Sequence, residues 1–299
     1  MIRFVCRLTH YVSINIHLLK ENRMSFEILL LVSIVAGFVG AMSGMGGGVI
    51  LIPALTLLGM DIKHAIAISI VSVIATSSGS ASAYVRDRIT NLKVGMFLEM
   101  FTIVGALVGA AITLISSRGP LFIIFGLVLL GSWLTLLLQR HEMWRPIEHQ
   151  DKFSNWLELN GEYFDHASNE TIAYCGGRAY LGGPLMFGAG LIAGLLGIGA
   201  GALKVLIHDL VMGLPPKVST TTSNLIIGVT ALAGTSVYLA AGMISPALAA
   251  PVILGIVAGA FIGTRILVKL TNQSVRLFFL IILAILGVEM IIRGVGTIA

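Results

Sequence analysis

Charged residues are scarce in this sequence. Asp, Glu, Lys and Arg make up 11% of its 299 residues, whereas soluble globular domains carry about 25%. So few charged side chains do not cover the water-exposed surface of a soluble protein of 299 residues. The composition therefore excludes an ordinary soluble enzyme or binding domain. The hydrophobic residues, 57% of the chain, fall in runs of about 20, the length that crosses a hydrocarbon core of about 30 Å. The composition predicts a polytopic membrane protein embedded in a lipid bilayer.

Groups that bind metals, cofactors or nucleic acid are also scarce. The two cysteines, Cys6 and Cys175, lie far apart and outside any metal or redox spacing. The net charge of +5 is spread as single basic residues between apolar runs, which is typical of membrane topology signals. GMGGGV lacks the last glycine of the dinucleotide-binding pattern, because Val49 occupies that position. We therefore predict no catalytic residue, no metal site, no cofactor and no nucleic-acid partner.

Ten apolar segments form two groups of five. The first group defines a transmembrane repeat over residues 26–139, a polar linker covers 140–181, and a second repeat covers 182–299. Residues 1–25 form a tail without a clean signal-peptide core, and translation is expected to begin at Met24. The linker is predicted to be a solvated loop. The segments are 26–43, 47–58, 64–84, 94–115, 121–139, 183–197, 201–213, 218–241, 247–268 and 275–293.

The two groups are similar in sequence. GFVGAMSGMGGG at residues 37–48 aligns with GLIAGLLGIGAG at 190–201, an offset of 153 that becomes 154 after one inserted residue. The register then persists into the fourth segment of each group, so we infer an internal duplication. Matched pairs include Gly37 and Gly190, Gly48 and Gly201, Lys63 and Lys217, Ser69 and Ser223, Thr76 and Thr230, Gly105 and Gly259, and Gly109 and Gly263.

The distribution of Lys and Arg indicates how the repeats are oriented. If each glycine cluster reverses the chain, twelve of the fifteen basic residues that follow the tail fall on the side of the linker. Without the reversals they split eight to seven. Because Lys and Arg concentrate on the cytoplasmic side of membrane proteins, the sequence predicts inverted repeats and a cytoplasmic linker. The fold prediction is an all-α membrane protein with eight full spans and short broken helices.

The glycine clusters are predicted helix breaks. Residues 26–58 would form one helix of about 50 Å, which exceeds the bilayer core, and glycine is the least costly residue at which to break it. The helix that follows a break presents free N–H groups and a positive dipole end to an anion. Packing glycines are the alternative, and we favour packing for Gly105, Gly109, Gly259 and Gly263. The predicted main-chain contacts to substrate are Gly46, Gly47, Gly48, Gly199, Ala200 and Gly201.

Polar residues follow both breaks. Ser69 in the third segment and Thr222, Ser223 and Asn224 in its counterpart lie early in their segments, at matching register. Hydroxyl and amide groups can bind an oxyanion without the cost of burying a full charge. Such residues also hold membrane helices together, and the sequence leaves both roles open. We name these four residues as candidate substrate ligands.

Ionisable residues inside apolar segments are costly and often functional. Lys204 and His208 are four residues apart and share a helix face, with Asp209 beside them. Lys204 could hold an anion, while His208 and Asp209 could move a coupling proton. The favoured alternative is that Lys204 extends to the membrane surface and that the other two lie at the interface. For Glu99 and Arg265, near segment ends, anchoring at the interface is predicted.

These motifs together resemble the TauE/SafE family of sulfite and organosulfonate exporters. The resemblance covers about residues 28–293, and it implies a permease for small sulfur-containing anions. The long linker and the residues Lys204, His208 and Asp209 depart from the family pattern. The motifs are GFVGAMSGMGGGVILIPAL, GMDIKHAIAISI, a later AYVR, GLLGIGAGALKV and PPKVSTTTSN.

The residues and the resemblance lead to one functional prediction. We expect a secondary transporter in the cell inner membrane that moves a small anion such as sulfite or sulfoacetate by alternating access between the inverted repeats. The proton is the predicted coupling ion, and the sequence leaves both a monomer and a homodimer open. A passive anion channel is one alternative, and a scaffold or assembly protein without transport is another.

Overall fold

The computed structural model describes residues 26–43, 47–86, 89–138, 147, 150–165, 170–267 and 272–298. Gly46 therefore lies outside the described residues. Within them the fold is almost entirely helical. The helices are α1 Phe26–Ser43, α2 Gly48–Leu57, α3 Ile62–Arg86, α4 Leu92–Ile115, α5 Arg118–Leu138, α6 Lys152–Trp156, α7 Ala179–Leu196, α8 Gly201–Leu206, α9 Pro216–Ala240, α10 Pro246–Leu267 and α11 Asn272–Ile298.

Six described helices are long and apolar enough to cross a membrane: α4, α5, α7, α9, α10 and α11. Large apolar side chains on them are exposed, as at Met96, Leu127 and Leu254, because a lipid-facing surface has no need of polar cover. The prediction of an all-α polytopic membrane protein is confirmed. Eight full spans would exceed the six identified here, and that count stays a prediction.

The linker contains structure that the sequence prediction missed. Besides α6 it forms an antiparallel hairpin of β1 Asn160–Asp165 and β2 Glu170–Cys175. Leu159, Tyr163 and Tyr174 are buried against apolar residues of α4, α7 and α9. The solvated-loop prediction is therefore wrong for this part of the linker. Its few apolar residues do not form a core of their own but pack against apolar residues at the ends of the helices.

Glycines bring α4 and α7 into backbone contact. A Cβ added at Gly105 would lie 2.2 Å from the Phe187 carbonyl oxygen, and one added at Gly109 would lie 2.1 Å from that of Leu191. Both are far below van der Waals distance, so only glycine fits. Since each later contact on α4 meets a later residue of α7, the two helices run side by side in the same direction.

The pair α1 and α10 repeats this arrangement. A Cβ at Gly259 would lie 2.0 Å from the Ile34 carbonyl oxygen, and one at Gly263 would lie 2.6 Å from that of Phe38. These helices also run in the same direction. The packing role predicted for the four glycines of α4 and α10 is confirmed, and the duplicated sequence produces two equivalent helix pairs.

Loops gather at two ends of the helix bundle. At one end, the Gly177 amide donates to the Met212 carbonyl at 3.0 Å, which joins the linker to the loop before α9. The hairpin also contacts Asn91, directly before α4. At the opposite end of α4 lies a cleft of about 810 Å³, which we call the loop cleft. It is lined by Asp61, Lys63, His64, Ser116, Ser117, Arg118, Gly119, Pro120, Met243, Thr297 and Ile298.

Candidate functional site

The two glycine-rich breaks lie close together in the buried interior of the bundle. α7 ends at Leu196 and α8 begins at Gly201, which confirms the second predicted break. α1 ends at Ser43 and α2 begins at Gly48, and residues 44–46 between them lie outside the described residues. A Cβ at Gly48 would lie 2.8 Å from the Gly197 carbonyl oxygen. Backbone from one repeat thus lies close to backbone from the other, with the Ser69 hydroxyl beside both.

The second break turns through left-handed backbone. The φ angles are +65° at Gly197, +74° at Gly199 and +49° at Ala200. Glycine adopts these angles freely, but an alanine in this region costs about 1 to 2 kcal/mol. Ala200 therefore stores strain at the start of α8. Such strain is often found at functional sites.

Two of the predicted ligands reach the breaks. The Ser69 hydroxyl donates to the Gly197 carbonyl at 3.1 Å, and the Ser223 hydroxyl donates to the Gly201 carbonyl at 3.4 Å. Both serines are buried and occupy equivalent positions in α3 and α9. The Ser69 hydroxyl satisfies the Gly197 carbonyl, which the end of α7 leaves without a partner inside the helix. The Ser223 hydroxyl adds a hydrogen bond to the first carbonyl of α8.

The other two predicted ligands lie further from the breaks. The Thr222 hydroxyl accepts a hydrogen bond from the Asn91 amide at 3.1 Å, which joins it to the start of α4. The Asn224 carbonyl accepts a hydrogen bond from the Ser77 hydroxyl, and the Asn224 side chain is half-buried. The predicted polar group therefore divides into a pair on the breaks and a pair beside them.

Lys204 points into the bundle. Its side chain is fully buried, and its ammonium donates to the Thr230 hydroxyl at 2.7 Å. The favoured prediction that this side chain extends to the membrane surface is wrong. An interior acceptor on α9 and a nearby carboxylate on α4 offset the cost of burying the charge. The amide of Lys204 donates to the Ala200 carbonyl at 3.1 Å, so the residue lies one helical turn beyond the break.

The nearby carboxylate belongs to Glu99. Its side chain is 9% exposed, and its Oε1 lies 3.2 Å from the Thr230 hydroxyl. Interfacial anchoring was predicted for this residue, and that prediction is wrong because its side chain turns inward to α9, where Thr230 lies beside it. The i, i+3 pair of Glu99 and Thr102 was the signal for an inward polar face, since Thr102 is also buried and lies 3.2 Å from Thr230.

His208 and Asp209 lie in a single π turn, Ile207–Val211, that extends α8. His208 is fully buried, and its Nδ1 lies 3.2 Å from the Ser219 carbonyl oxygen. His208 therefore faces the protein interior, and its depth in the membrane stays a prediction. Within the described residues neither His208 Nε2 nor Asp209 Oδ1 has a hydrogen-bond partner. Single π turns inside helices frequently mark functional sites.

The site combines neutral donors with one cation and one carboxylate. The main-chain breaks, Ser69 and Ser223 form its neutral part, and Lys204 with Glu99 forms its charged part. Because these groups are shielded from water, their interactions are stronger than at a surface. Such a site can bind a small oxyanion through N–H and O–H groups and can change its charge by taking up a proton.

Comparisons with known proteins agree with this architecture. A YunE protein of Bacillus subtilis (strain 168), named a probable membrane transporter protein, is 28% identical over 282 residues, which cover 91% of this chain and 99% of that protein. YdhB of the same organism, also named a probable membrane transporter protein, is 25% identical over 240 residues, 80% of this chain and 87% of that protein. No solved structure matches. The family model described as sulfite exporter TauE/SafE matches residues 29–290, and the chain belongs to that family.

Proposed function

We propose that this membrane transporter is a secondary transporter of a small anion, which binds where the two helix breaks meet. The observation that carries the proposal is the backbone contact of Gly48 with Gly197, between two breaks that belong to different repeats. Irregular backbone at membrane depth is tolerated only where protein buries it or where it lines a cavity. Paired broken helices at a repeat interface are the usual substrate site of such transporters.

Helix direction supports an inverted arrangement of the repeats. α4 runs from the linker toward the loop cleft, which Ser116 lines directly after the helix ends. Its repeat counterpart α10 begins at Pro246, shortly after Met243 lines the same cleft. α4 and α10 therefore run in opposite directions. Repeats related by an axis in the membrane plane have this property, and rocking one against the other alternates access to a central site.

The chemistry of the site supports sulfite or an organosulfonate as the substrate. The Lys204 ammonium donates one proton to Thr230 and has two more to offer an anion. The Ser69 and Ser223 hydroxyls now donate to the Gly197 and Gly201 carbonyls, and each would turn from its carbonyl to the anion. Oxyanions accept several such hydrogen bonds at once. The family description names sulfite export, and sulfite and sulfonate groups are small oxyanions of this kind.

Uptake of labelled sulfite by proteoliposomes tests the proposal. Gly48→Leu would push a side chain into the Gly197 carbonyl and the Ser69 hydroxyl, so we expect uptake to be lost. Gly131→Leu is the control, because a Cβ there meets nothing within 4 Å. Ser69→Ala removes one donor with little change in shape and should weaken uptake. Equal uptake by wild type, Gly48→Leu and Ser69→Ala would exclude the breaks as the site.

Topology needs its own test. We propose that the protein lies in the cell inner membrane with the linker in the cytoplasm. If each glycine cluster reverses the chain, most Lys and Arg residues fall on the side of the linker, and such residues concentrate in the cytoplasm. A single cysteine at Gln150, in a variant whose Cys6 and Cys175 are serine, should react with a membrane-impermeant reagent only in inside-out vesicles. Labelling of intact cells would overturn the orientation. The same probe at Thr297 should give the opposite pattern.

A further inference from the structure

We propose that Glu99 is the proton-binding residue of the transporter, and that its protonation frees the Lys204 ammonium to bind the anion. The inference rests on the proposed function, because it takes Lys204 as part of the anion site. It assigns a role to a carboxylate that the sequence analysis placed at the membrane surface. One proton and one anion would then enter the site together.

The two charges face each other through a single hydroxyl. Lys204 donates to Thr230 Oγ1 at 2.7 Å, and Thr230 Oγ1 lies 3.2 Å from Glu99 Oε1. In the described part of the chain, Lys204 on α8 is the charged group that faces Glu99. The hydroxyls of Thr230 on α9 and Thr102 on α4 lie beside the pair, and His208 follows Lys204 one turn along. The pair is therefore isolated from other charges and from solvent.

The hydrogen-bond distances at Thr230 are compatible with two proton arrangements. Its hydroxyl has one proton and three acceptors within reach, namely the Ile226 carbonyl at 2.6 Å, Glu99 Oε1 at 3.2 Å and Thr102 Oγ1 at 3.2 Å. When the proton points to the closest acceptor, Ile226, the contact with Glu99 is satisfied only if the carboxyl group itself is protonated and donates. An ionised Glu99 must instead draw the proton away from Ile226.

The second carboxylate oxygen points to the same conclusion. Glu99 Oε2 is buried and has no hydrogen-bond partner within the described residues. A buried carboxylate that is permanently ionised is usually paired and hydrogen-bonded through both oxygens. A group that alternates between the ionised and protonated forms needs no fixed partner on its second oxygen. That oxygen is also the natural point at which a proton arrives.

The charge pair is not required by the architecture of the repeat. At the equivalent positions the first repeat has Leu51 in place of Lys204, and the second repeat has Ile253 in place of Glu99. Both apolar residues pack in the hydrophobic core. The same helix framework is therefore built without charge. A buried ion pair seldom stabilises a protein more than apolar residues of similar size, so stability alone does not explain the pair.

Charge balance links the proton to the anion. When Glu99 is ionised it compensates Lys204, and the site has no net charge to attract an anion. When Glu99 takes up a proton, the buried ammonium is left uncompensated, which is costly, and a bound monoanion restores neutrality. The loaded site therefore carries one proton and one monovalent anion, the returning site carries neither, and the two have the same charge. Transport of a monoanion should be electroneutral.

The test uses full-length protein and isethionate, a monovalent sulfonate that does not titrate near neutral pH. In weakly buffered detergent solution, a pH-indicator dye should report uptake of about one proton for each isethionate bound by wild type and none by Glu99→Gln. In proteoliposomes, a pH gradient should drive wild type to accumulate isethionate. Glu99→Gln should still exchange isethionate across the membrane but should not accumulate it.

Glu289→Gln is the matched control, since Glu289 is a second carboxylate in a membrane helix and pairs with Arg293. This variant should retain accumulation. Accumulation by Glu99→Gln at the wild-type level, or no proton uptake by wild type on binding, overturns the inference even if the variant folds poorly. If wild type moves neither isethionate nor sulfite, the proposed function fails. If wild type transports either anion but takes up no proton, only this inference fails.

Discussion

Replacement of Gly190 by alanine isolates the contribution of helix contact to stability. A Cβ at Gly190 would lie 2.3 Å from the Thr102 carbonyl oxygen and 2.7 Å from the Thr102 Cα, whereas ordinary contact begins at 3.4 Å. Because both atoms belong to backbone, no rotamer change relieves the clash. The helices α7 and α4 must separate by about 1 Å. Gly188 lies on the same helix, and a Cβ there meets nothing within 4 Å, so Gly188→Ala is the matched control.

The magnitude follows from two effects. Both substitutions gain up to about 1 kcal/mol because alanine favours a helix more than glycine does. Only Gly190→Ala forces the helices apart, and overpacking of this kind costs about 1 to 3 kcal/mol. A gap of about 1 Å between two atoms removes up to half of the dispersion attraction between them. We expect Gly190→Ala to be less stable than Gly188→Ala by about 2 kcal/mol.

The assay is heat-induced aggregation of the purified protein in detergent, followed by size-exclusion chromatography. Gly190→Ala should lose its monodisperse peak at a lower temperature than Gly188→Ala. Gly37→Ala should behave as Gly190→Ala does, because its Cβ would also lie 2.3 Å from a carbonyl oxygen, that of Ile256. Equal or higher stability of Gly190→Ala would refute the argument that these glycines permit backbone contact.

Further predictions concern the core and the linker. Tyr238→Phe removes the hydroxyl that donates to the Gly194 carbonyl at 2.7 Å. The free energy of unfolding should fall by about 1 to 3 kcal/mol, which lowers the melting temperature, and an unchanged melting temperature would contradict this. Asn91→Ala removes the cap of α4, which costs about 0.5 to 2 kcal/mol, and trypsin should cleave the linker faster than in wild type. Desolvation raises the pKa of Asp151, but hydrogen bonds from Ser154 and backbone amides outweigh it and hold that pKa below the usual 3.8. These hydrogen bonds therefore stabilise the folded linker fully above the unfolded pKa of Asp151, and this stabilisation is lost as the pH falls through its lower native pKa. In that pH range pepsin should cleave the linker of wild type faster, and cleavage of Asp151→Asn should depend less on pH.

The helices and their breaks could be predicted because they depend on the length of apolar runs. The segment predicted at residues 94–115 is α4, Leu92–Ile115, and the glycine clusters interrupt the helices where the bilayer thickness requires it. Repeat matching also identified Ser69 and Ser223 at equivalent places. These features follow from local sequence and from one external dimension, the thickness of the membrane.

The positions of Glu99 and Lys204 could not be predicted in this way. Hydropathy places Glu99 near the end of an apolar segment, but its side chain turns inward to Thr230 of α9, 131 residues along the chain. Lys204 stays inside because Thr230, 26 residues along the chain, provides an acceptor. Both outcomes depend on contacts between distant segments, and a pattern within one segment contains no information about them.

The central claim is that one anion site alternates between the two sides of the membrane, and counterflow tests it most directly. Proteoliposomes loaded with unlabelled sulfite are diluted into a trace of labelled sulfite. The account predicts that the label rises transiently above its equilibrium level, because the inward-moving site returns occupied by unlabelled anion. Simple equilibration without an overshoot would contradict alternating access and indicate a channel, and no saturable uptake at all would contradict transport itself.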